Sequence, residues 1–346
     1  MHSTMIINII NIIKMFKKIL LVQFTLLFIL YCQQTDCINS NSVNPIPNIN
    51  YFVTGIDIKY GAPYNVSVRN PIFERFSYNN NITEIINDVT YDCPDQIYWI
   101  SYSSIDKKST VQVYYSVEEI ESDMFESFTT GFDCERINGM FSLSEQVDEF
   151  NLAYDTQESY TALTFLTVTV SKAELNAEIK LNENFKTIVN SLPTVYSQET
   201  CKYFVDFIKL FGTSYAYRAV FGGYVTMSTY FKTSTTYDKT ESEIEFEIGT
   251  QFLMFTTNSS FDFNQTKIYQ NLDATYNSTL QVYGGSPNYF QSNNYQSWIA
   301  TVSTNPIFVR ADIISISKLL YGLPQQNALN DAINDYLENG EIYMSC

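Results

Sequence analysis

Residues 204–231 constrain the fold most, because they join an amphipathic helix to two β-rich runs. Their sequence is FVDFIKLFGTSYAYRAVFGGYVTMSTYF. The i, i+3, i+4, i+7 spacing predicts a helix with one buried face, formed by Phe204, Phe207, Ile208 and Phe211. Gly212 ends that helix, as a glycine after the last turn commonly does. The β-rich runs lie on either side of Gly222 and Gly223, so the segment predicts a helix beside a sheet, in an α+β fold.

The adjacent glycines Gly222 and Gly223 have two possible roles in such a sheet. A glycine permits a bend or a close backbone approach that a side chain would block. The pair therefore indicates either an ordinary β-bulge or a flexible point in a sheet that opens during function. The residues alone leave both interpretations open.

The rest of the chain alternates strands, helices and two segments of poor periodicity. Strands are predicted at residues 51–71, 162–173 and 277–285, and residues 97–117 are predicted as two strands separated by a polar turn. Helices are predicted at residues 181–191, from Ser197 to Gly212, and at residues 313–321 and 327–338. Residues 118–160 and 235–270 are mixed segments, each placed between two strands.

Composition excludes several classes of function. The only histidine is His2, so a Ser-His-Asp triad, a Cys-His pair and a histidine-based zinc site are all ruled out. The net charge of −17 argues against a nucleic-acid partner, because phosphate binding needs clustered Lys and Arg. Acidic neighbours such as Glu118–Glu119 and Asp148–Glu149 point apart instead of converging on a substrate. We expect no enzymatic activity, no cofactor, no metal and no small-molecule substrate.

The N-terminus predicts secretion. Lys14, Lys17 and Lys18 precede an apolar run over residues 19–31, which is typical of a signal peptide ending near residue 35. An uncleaved signal anchor is the alternative, and Met1, Met5 and Met15 are all possible starts of translation. We predict a polar leader over residues 36–50 and a single folded domain over residues 51–346.

Glycosylation sequons and cysteines fit an oxidising compartment. Four cysteines are candidates for two disulfides with three possible pairings, and Cys37 is left over if it remains in the mature chain. These four are Cys93, Cys134, Cys201 and Cys346. The candidate glycosylation sites are Asn65, Asn81, Asn258, Asn264 and Asn277.

Residues 204–223 resemble the core motif of the membrane attack complex/perforin (MACPF) family. That motif is an aromatic residue, six further residues, then an aromatic-Gly-Thr-His-aromatic run with Gly-Gly shortly after it. The matching residues here are Phe204, Phe211, Gly212, Thr213, Tyr215, Gly222 and Gly223. The family usually has Tyr where Phe204 stands and His where Ser214 stands. The resemblance extends over about residues 50–346.

The resemblance implies a bent four-stranded antiparallel sheet flanked by helices, with two helical clusters that can become β-hairpins. The two mixed segments lie where those clusters belong. The implied function is a secreted, perforin-like protein that forms a homo-oligomeric ring on a lipid membrane and inserts two hairpins per subunit. It would be found outside the cell or in a secretory granule or vesicle lumen. The alternative is a non-lytic protein of the same fold that serves in adhesion, signalling or development.

Residues 243–248 provide the clearest candidate for a membrane-inserting strand. Ile244, Phe246 and Ile248 alternate with three glutamates, so lipid could lie on one side and water on the other. The alternation also fits an edge strand with one solvated face. Asn258 and Asn264 fall in the same mixed segment, and a glycan in mid-strand would oppose insertion.

Overall fold

The computed structural model describes residues 43–60, 67–86, 88–114, 116–129, 140–144, 147–148, 150–151, 159–232, 243, 277–291 and 295–339. Within them, nine strands are β1 (Thr54–Ile56), β2 (Val68–Pro71), β3 (Thr83–Ile86), β4 (Val89–Asp92), β5 (Ile97–Tyr114), β6 (Ser159–Leu175), β7 (Ser214–Lys232), β8 (Asn277–Tyr283) and β9 (Ile307–Ser315). The α-helices are α1 (Val117–Thr129), α2 (Glu183–Ser191), α3 (Cys201–Phe211), α4 (Pro287–Gln291), α5 (Tyr295–Val302) and α6 (Gln325–Asn339).

One seven-stranded antiparallel sheet dominates the fold. Its order is β2-β1-β7-β6-β5, and both β8 and β9 pair with β7. Strand β9 pairs with β7 from Ser214 to Gly222, and β8 pairs with it from Tyr224 to Tyr230. β8 and β9 thus lie one after the other along the same side of β7. The centre of the sheet is therefore four strand positions wide, and we call these positions, β5, β6, β7 and β8/β9, its four lanes. The predicted four-stranded antiparallel sheet with flanking helices is confirmed.

The long strands are continuous where the sequence predicted interruptions. Strand β5 was expected as two strands with a polar turn between them, but it runs unbroken for 18 residues with a register shift between Ser101 and Asp106. Strand β7 likewise runs 19 residues through Gly222 and Gly223. Pairing with β6 along most of the length of both strands satisfies their backbone hydrogen bonds, so polar residues and glycines do not end them.

Helix boundaries follow local signals, with two corrections. Helix α2 begins after Asn182, whose side chain accepts a hydrogen bond of 2.9 Å from the Asn184 N–H. The helix expected from Ser197 begins instead at Cys201, because Ser197–Thr200 form a separate turn closed by the Thr200 side chain. The helix expected at residues 313–321 is wrong: β9 continues to Ser315, and only a 3₁₀ turn over Ile316–Leu320 follows. The helix predicted at residues 327–338 is confirmed as α6.

The domain begins before residue 51. The larger of two compact units starts at Asn44, and the side chains of Ile46 and Ile49 are buried. The Asn44 amide donates to Asp92, and Pro45 forms a bridge with the same residue. The predicted polar leader is therefore too long at its C-terminal end, because residues 44–50 pack as part of the domain.

Candidate functional site

The turn after α3 shows why the family motif needs Gly212. Its φ is +76°, a conformation that favours glycine, and its N–H donates to the Ile208 carbonyl at 2.7 Å. A Cβ added there would lie 2.4 Å from the carbonyl oxygen of Ile56. The chain turns directly over β1, so a side chain at this position would collide with that strand.

Thr213 and Ser214 join three elements at this turn. The Thr213 N–H donates to the Ile56 carbonyl at 2.9 Å, and its own carbonyl accepts from the Ile316 N–H at 3.0 Å. Ser214 pairs with Ile56 on β1 and with Ser315 on β9. Both side chains are buried. Their role in the structure is to connect the helix to the sheet.

The aromatic residues of the motif pack into the core. Phe204 meets Tyr196 edge-on at 5.6 Å between ring centroids, and Phe211 meets Phe185 at 5.1 Å. Tyr215 packs against Phe73 at 5.4 Å, and burial raises its pKa to about 12. All eight predicted motif residues thus lie on α3, in the turn after it or on β7, and all eight are buried.

Gly222 is required by a backbone contact. It has no positive φ, so it is ordinary extended strand. A Cβ there would lie 1.8 Å from the Val168 carbonyl oxygen of β6. Register shifts occur at this level on both neighbours, between Thr169 and Ser171 of β6 and between Val220 and Phe221 opposite β9. The irregularity that the bulge interpretation expected is present, and the extra residues stand on the partner strands.

Gly223 instead meets the side chain of Trp298 on α5. A Cβ at Gly223 would lie 2.8 Å from Trp298 Cζ2 and 2.8 Å from Val302 Cγ2. The fully buried indole donates its N–H to the Gly284 carbonyl at 3.0 Å. Gly284 and Gly285, both at positive φ, carry the chain away from β8 at this point. Two glycine pairs therefore surround one tryptophan, where the fourth lane passes from β9 to β8.

Sequence reasoning missed the contact between this tryptophan and the glycines. We name the group Gly222, Gly223, Gly284, Gly285 and Trp298 the glycine junction. Asn305 closes it, since its side chain donates to the Gly285 carbonyl at 3.0 Å. The pairing of two glycine dipeptides 62 positions apart follows from the strand register, which no local pattern contains.

The four lanes end in one row of residues. Tyr114 pairs with Thr161, Thr161 pairs with Tyr230, and Tyr230 pairs with Asn277. The connection from β5 to β6 and the connection from β7 to β8 therefore leave and re-enter the sheet at the same end. Thr161 follows Tyr114 by 47 positions along the chain, and Asn277 follows Tyr230 by the same number. The two connections, residues 115–160 and 231–276, are thus equal in length.

Helix α1 belongs to the first connection and covers one face of the sheet. Its buried stripe is Ile120, Met124 and Phe128, and the Tyr114 hydroxyl of β5 donates to Asp123. A cavity of about 240 Å³ remains beneath it, lined by Asp123, Glu126 and Ser127 of α1 and by sheet residues that include Lys108, Phe165, Thr167 and Tyr224. We name this side the α1 face. The opposite side, where Gly223 meets Trp298, is the α5 face.

A second part of the first connection rests on the turn after β1, at residues 58–60. The Phe141 and Leu143 N–H groups donate to the carbonyls of Ile58 at 2.8 Å and Lys59 at 2.9 Å. The Lys59 ammonium in turn donates to the Tyr336 and Leu337 carbonyls at 3.0 and 2.8 Å, where it caps the last turn of α6. Burial lowers the Lys59 pKa.

A buried carboxylate fixes the same place. Asp57 accepts from Arg69 at 2.9 Å and from the Tyr336 hydroxyl at 3.0 Å. Both Asp57 and Lys59 are almost fully buried. Because buried charges are costly unless they are paired, this cluster fixes the turn after β1 against the end of α6.

The predicted cysteine and glycan sites have different outcomes. Cys93 is a free, buried thiol whose pKa is raised to about 12, chiefly by burial, so the prediction that it joins a disulfide is wrong for this structure. Cys201 is disulfide-bonded. Asn81 is exposed, and Asn277 is the first residue of β8. Nine further predicted sites lie outside the described residues: Asn65, Cys134, Ile244, Phe246, Ile248, Asn258, Asn264, Cys346 and the signal peptide.

Two features are absent from the described parts of the chain. No group of three His, Cys, Asp or Glu side chains there has the arrangement of a metal site. Among the same residues, none of the helices has the length and apolar character needed to cross a membrane.

Comparisons with known proteins agree with this architecture. The family model of the MAC/Perforin domain matches residues 39–344. The Perivitellin-2 67 kDa subunit of Pomacea canaliculata is 22% identical over 262 residues, which are 75% of this chain and 46% of that protein. The chain therefore spans about half the length of the curated relatives it matches.

Two solved structures share the fold. GNIP1Aa from Chromobacterium piscinae superposes with a TM-score of 0.65 at 16% identity, covering 85% of this chain and 56% of its own. A putative cell invasion protein with a MAC/Perforin domain from Bacteroides thetaiotaomicron gives 0.52 at 12% identity, covering 86% and 63%. At such identities the likeness concerns the fold alone.

Proposed function

This chain belongs to the MAC/Perforin (MACPF) domain family, and from that premise we propose that it is a secreted protein that perforates membranes. In this proposal, subunits assemble into a homo-oligomeric ring on a target membrane. Each subunit then inserts two β-hairpins, one from the connection between β5 and β6 and one from the connection between β7 and β8. The mechanism needs no covalent step.

The observation that carries the proposal is the row Tyr114–Thr161–Tyr230–Asn277. Because the four lanes end at one level, extension of both connections would continue four neighbouring strands in one direction. The equal spacing of 47 positions would make both hairpins end at the same depth. Half of each connection is about 23 residues, or roughly 75 Å at 3.3 Å per residue, which exceeds the roughly 30 Å of hydrocarbon to be crossed.

Assembly is required because two hairpins cannot satisfy their own edges in lipid. Every backbone N–H and C=O within the hydrocarbon must find a partner. Strands at the edge of a four-stranded sheet would lack partners unless neighbouring subunits supply them. A ring of subunits meets this requirement, and a monomer does not.

Helix α1 must leave the sheet for the first hairpin to form. Its buried stripe is three apolar side chains, Val117 and Phe125 also pack against the core, and a cavity lined in part by polar side chains lies beneath it. In contrast, β5, β6 and β7 pair along nearly their whole length. These contacts support a division into a fixed sheet and a first connection that can be released.

Liposome leakage tests the proposal directly. Purified secreted protein is added to vesicles of several lipid compositions, and dye release is measured together with negative-stain electron microscopy. We expect concentration-dependent release and ring-shaped particles. Intact vesicles in every lipid mixture, followed by intact natural target cells, would overturn perforation.

The non-lytic alternative is favoured by one observation, the sequons Asn258 and Asn264 in the second connection. Glycans on both would have to cross the bilayer with an inserting hairpin. Mass spectrometry of the secreted protein measures their occupancy. Full occupancy at both sites, together with intact vesicles and cells, would support a role in adhesion, signalling or development.

A further inference from the structure

The cavity between α1 and the sheet is lined by side chains of both charge signs. Lys108 of β5 and Arg310 of β9 contribute cations from the sheet, whereas Asp123 and Glu126 contribute carboxylates from α1. The cavity volume of about 240 Å³ far exceeds the roughly 10–15 Å³ that one water molecule needs. The space is therefore large enough for a small organic molecule that contacts both walls.

Arg310 is the clearest sign that a ligand group belongs in this cavity. Within the described part of the chain, its Nε atom is buried without a hydrogen-bond partner, and no carboxylate forms an ion pair with it. The other two half-buried arginines are both neutralised: Arg69 donates to Asp57 at 2.9 Å, and Arg218 donates to Asp312 at 2.9 Å. Arg69 also has an unpartnered Nε, but its charge is paired. A guanidinium edge binds the two oxygens of a carboxylate or phosphate well, so Arg310 lacks an oxyanion.

A β-bulge directs Arg310 to the cavity. Phe308 and Arg310 pair with the adjacent residues Phe221 and Val220 of β7, so Val309 is an extra residue on β9. Successive residues of a regular strand point to opposite faces. Val309 and Arg310 nevertheless both line the cavity, because a bulge changes the direction of the side chains at its position.

The cavity opens between β5 and α1. Lys108, Gln112 and Glu126 are exposed and surround the entrance. Thr169 and Tyr224 are each 4% exposed and lie deeper. A soluble molecule can therefore enter from the edge of the sheet while α1 stays in place.

We propose that this cavity binds a small zwitterion, with its carboxylate or phosphate on Arg310 and Lys108 and its ammonium group on Glu126 and Asp123. Asp123 already accepts from the Tyr114 hydroxyl, and a carboxylate has room for further donors. Charges removed from water are costly unless they are paired. A zwitterion supplies a partner to both walls, whereas a simple anion would face the two carboxylates and a simple cation would leave Arg310 unpaired.

Such a ligand would connect α1 to the sheet. Its ammonium group would contact the helix, and its oxyanion would contact two strands. A ligand that binds one arrangement and not another stabilises the arrangement that it binds, in proportion to its concentration. This consequence rests on the proposed function: the bound zwitterion would slow the release of α1 and with it the insertion of the first hairpin. The binding site itself does not depend on perforation.

Isothermal titration calorimetry of the purified protein without membranes tests the site. Two probes cover the class, O-phosphoethanolamine and β-alanine. We expect at least one of them to bind with one molecule per chain. R310Q should weaken that binding by about tenfold or more, since hydrogen bonds between charged groups are the strong ones. R75Q is the control, because Arg75 is exposed and does not line the cavity.

Adjacent residues provide matched controls for the other contacts. Lys108 lines the cavity, whereas the Lys107 ammonium lies on the other face of β5, 6.0 Å from the centre of the Tyr295 ring. We therefore expect K108Q to weaken binding and K107Q to leave it unchanged. On α1, E126Q should weaken binding, and E118Q should not, because Glu118 is exposed outside the cavity. K108Q is the second variant should R310Q fail to fold.

The two halves of one probe test the zwitterion itself. Inorganic phosphate and ethanolamine are each expected to bind about tenfold more weakly than O-phosphoethanolamine, because each leaves one wall without its partner. Phosphate that binds as tightly as the whole probe would overturn the ammonium contact. No binding of either probe at roughly 10 mM, or equal binding by R310Q and wild type, would overturn the site.

The same chemistry occurs in free amino phosphates and in the headgroup of phosphatidylethanolamine. Pelleting with phosphatidylcholine vesicles, with and without phosphatidylethanolamine, separates the two sources. Binding of the free probe without extra pelleting supports a soluble ligand, whereas extra pelleting that R310Q abolishes supports the lipid headgroup.

Dye release then tests the effect on α1. We expect the probe that binds to slow release by wild-type protein and to leave release by R310Q unchanged. Equal release with and without the bound probe would overturn the link to α1. Vesicles that stay intact without any probe would count against the proposed function, while the calorimetric result would still decide the binding site.

Discussion

Gly222 and Gly223 stand side by side on β7, yet different kinds of atoms exclude a side chain at each. The space for a Cβ at Gly222 is filled by the backbone carbonyl of Val168, 1.8 Å away. At Gly223 it is filled by the ends of two side chains at 2.8 Å. Backbone in the middle of a sheet moves only if its ladder moves, whereas side chains have other rotamers.

Alanine substitution should therefore separate the two glycines. We expect G222A to cost about 3 kcal/mol in the free energy of unfolding and G223A about 1 kcal/mol, since overpacking costs about 1–3 kcal/mol in well-packed cores. Urea unfolding followed by circular dichroism measures both. G322A is the control. The added Cβ has no atom within 4 Å, so the only cost is the backbone strain of a side chain at a φ of +80°. A larger loss for G223A would contradict the contact argument.

The same substitutions bear on the hinge interpretation of the pair. If G223A folds with little loss but slows dye release from vesicles, flexibility at the junction contributes to insertion. Equal loss of stability and release would leave the pair as a packing requirement of the sheet. Residue-level patterns gave both possibilities, and only the positions of Val168 and Trp298 separate them.

For helices and strands, the sequence predicted the kind of element better than the residues at which it begins and ends. Alternation over residues 162–173 identified β6, and the i, i+3, i+4, i+7 stripe identified α3, because each element buries one face. Only the end of β9, residues 313–315, was mistaken for the start of a helix, and residues 307–312 carried no prediction, since the strand is buried on both faces and has no period of two. The break between β8 and β9 depends on α4 and α5, which no local period predicts.

Helix α1 is the element whose release the proposed mechanism requires. One polar link from this helix to the sheet is the hydrogen bond from the Tyr114 hydroxyl to the Asp123 carboxylate. Hydrogen bonds to charged groups contribute about 1.5–3 kcal/mol. Y114F removes this bond and keeps the aromatic ring in place. We therefore expect faster dye release, by about tenfold if about 1.4 kcal/mol of the bond is lost before the rate-limiting step.

Stopped-flow dye release at fixed protein and lipid concentration measures this rate. The control is Y98F, because Tyr98 is 64% exposed and its hydroxyl is free to bond water. Release by Y98F should equal wild type. An unchanged or slower rate for Y114F would place the release of α1 outside the slow step of insertion.

The whole molecule combines a family fold with a large negative charge. The fold could be predicted from residues 204–223, since that motif is local and its glycines are fixed by sterics. The equal depth of the two connections could not, because it requires the strand register. The charge is visible in the sequence at once: −17 over the chain. Loss of residues 1–35, which hold three lysines and no acid, would make it more negative.

Ring assembly must bring such subunits edge to edge, so we expect salt to promote it. Like charges repel, and the repulsion is screened over about 30 Å at 0.01 M salt but about 8 Å at 0.15 M. On vesicles of neutral phosphatidylcholine, the rate of dye release should rise several-fold between these salt concentrations, with osmolarity held constant by sucrose.

Pelleting of protein with vesicles at each salt concentration separates binding from assembly. The expected pattern is equal binding with faster release, because repulsion between subunits opposes association and not contact with an uncharged surface. Release that slows with added salt would mean that attraction between opposite charges drives the subunit contact, and the uneven distribution of charge would then outweigh the net value of −17.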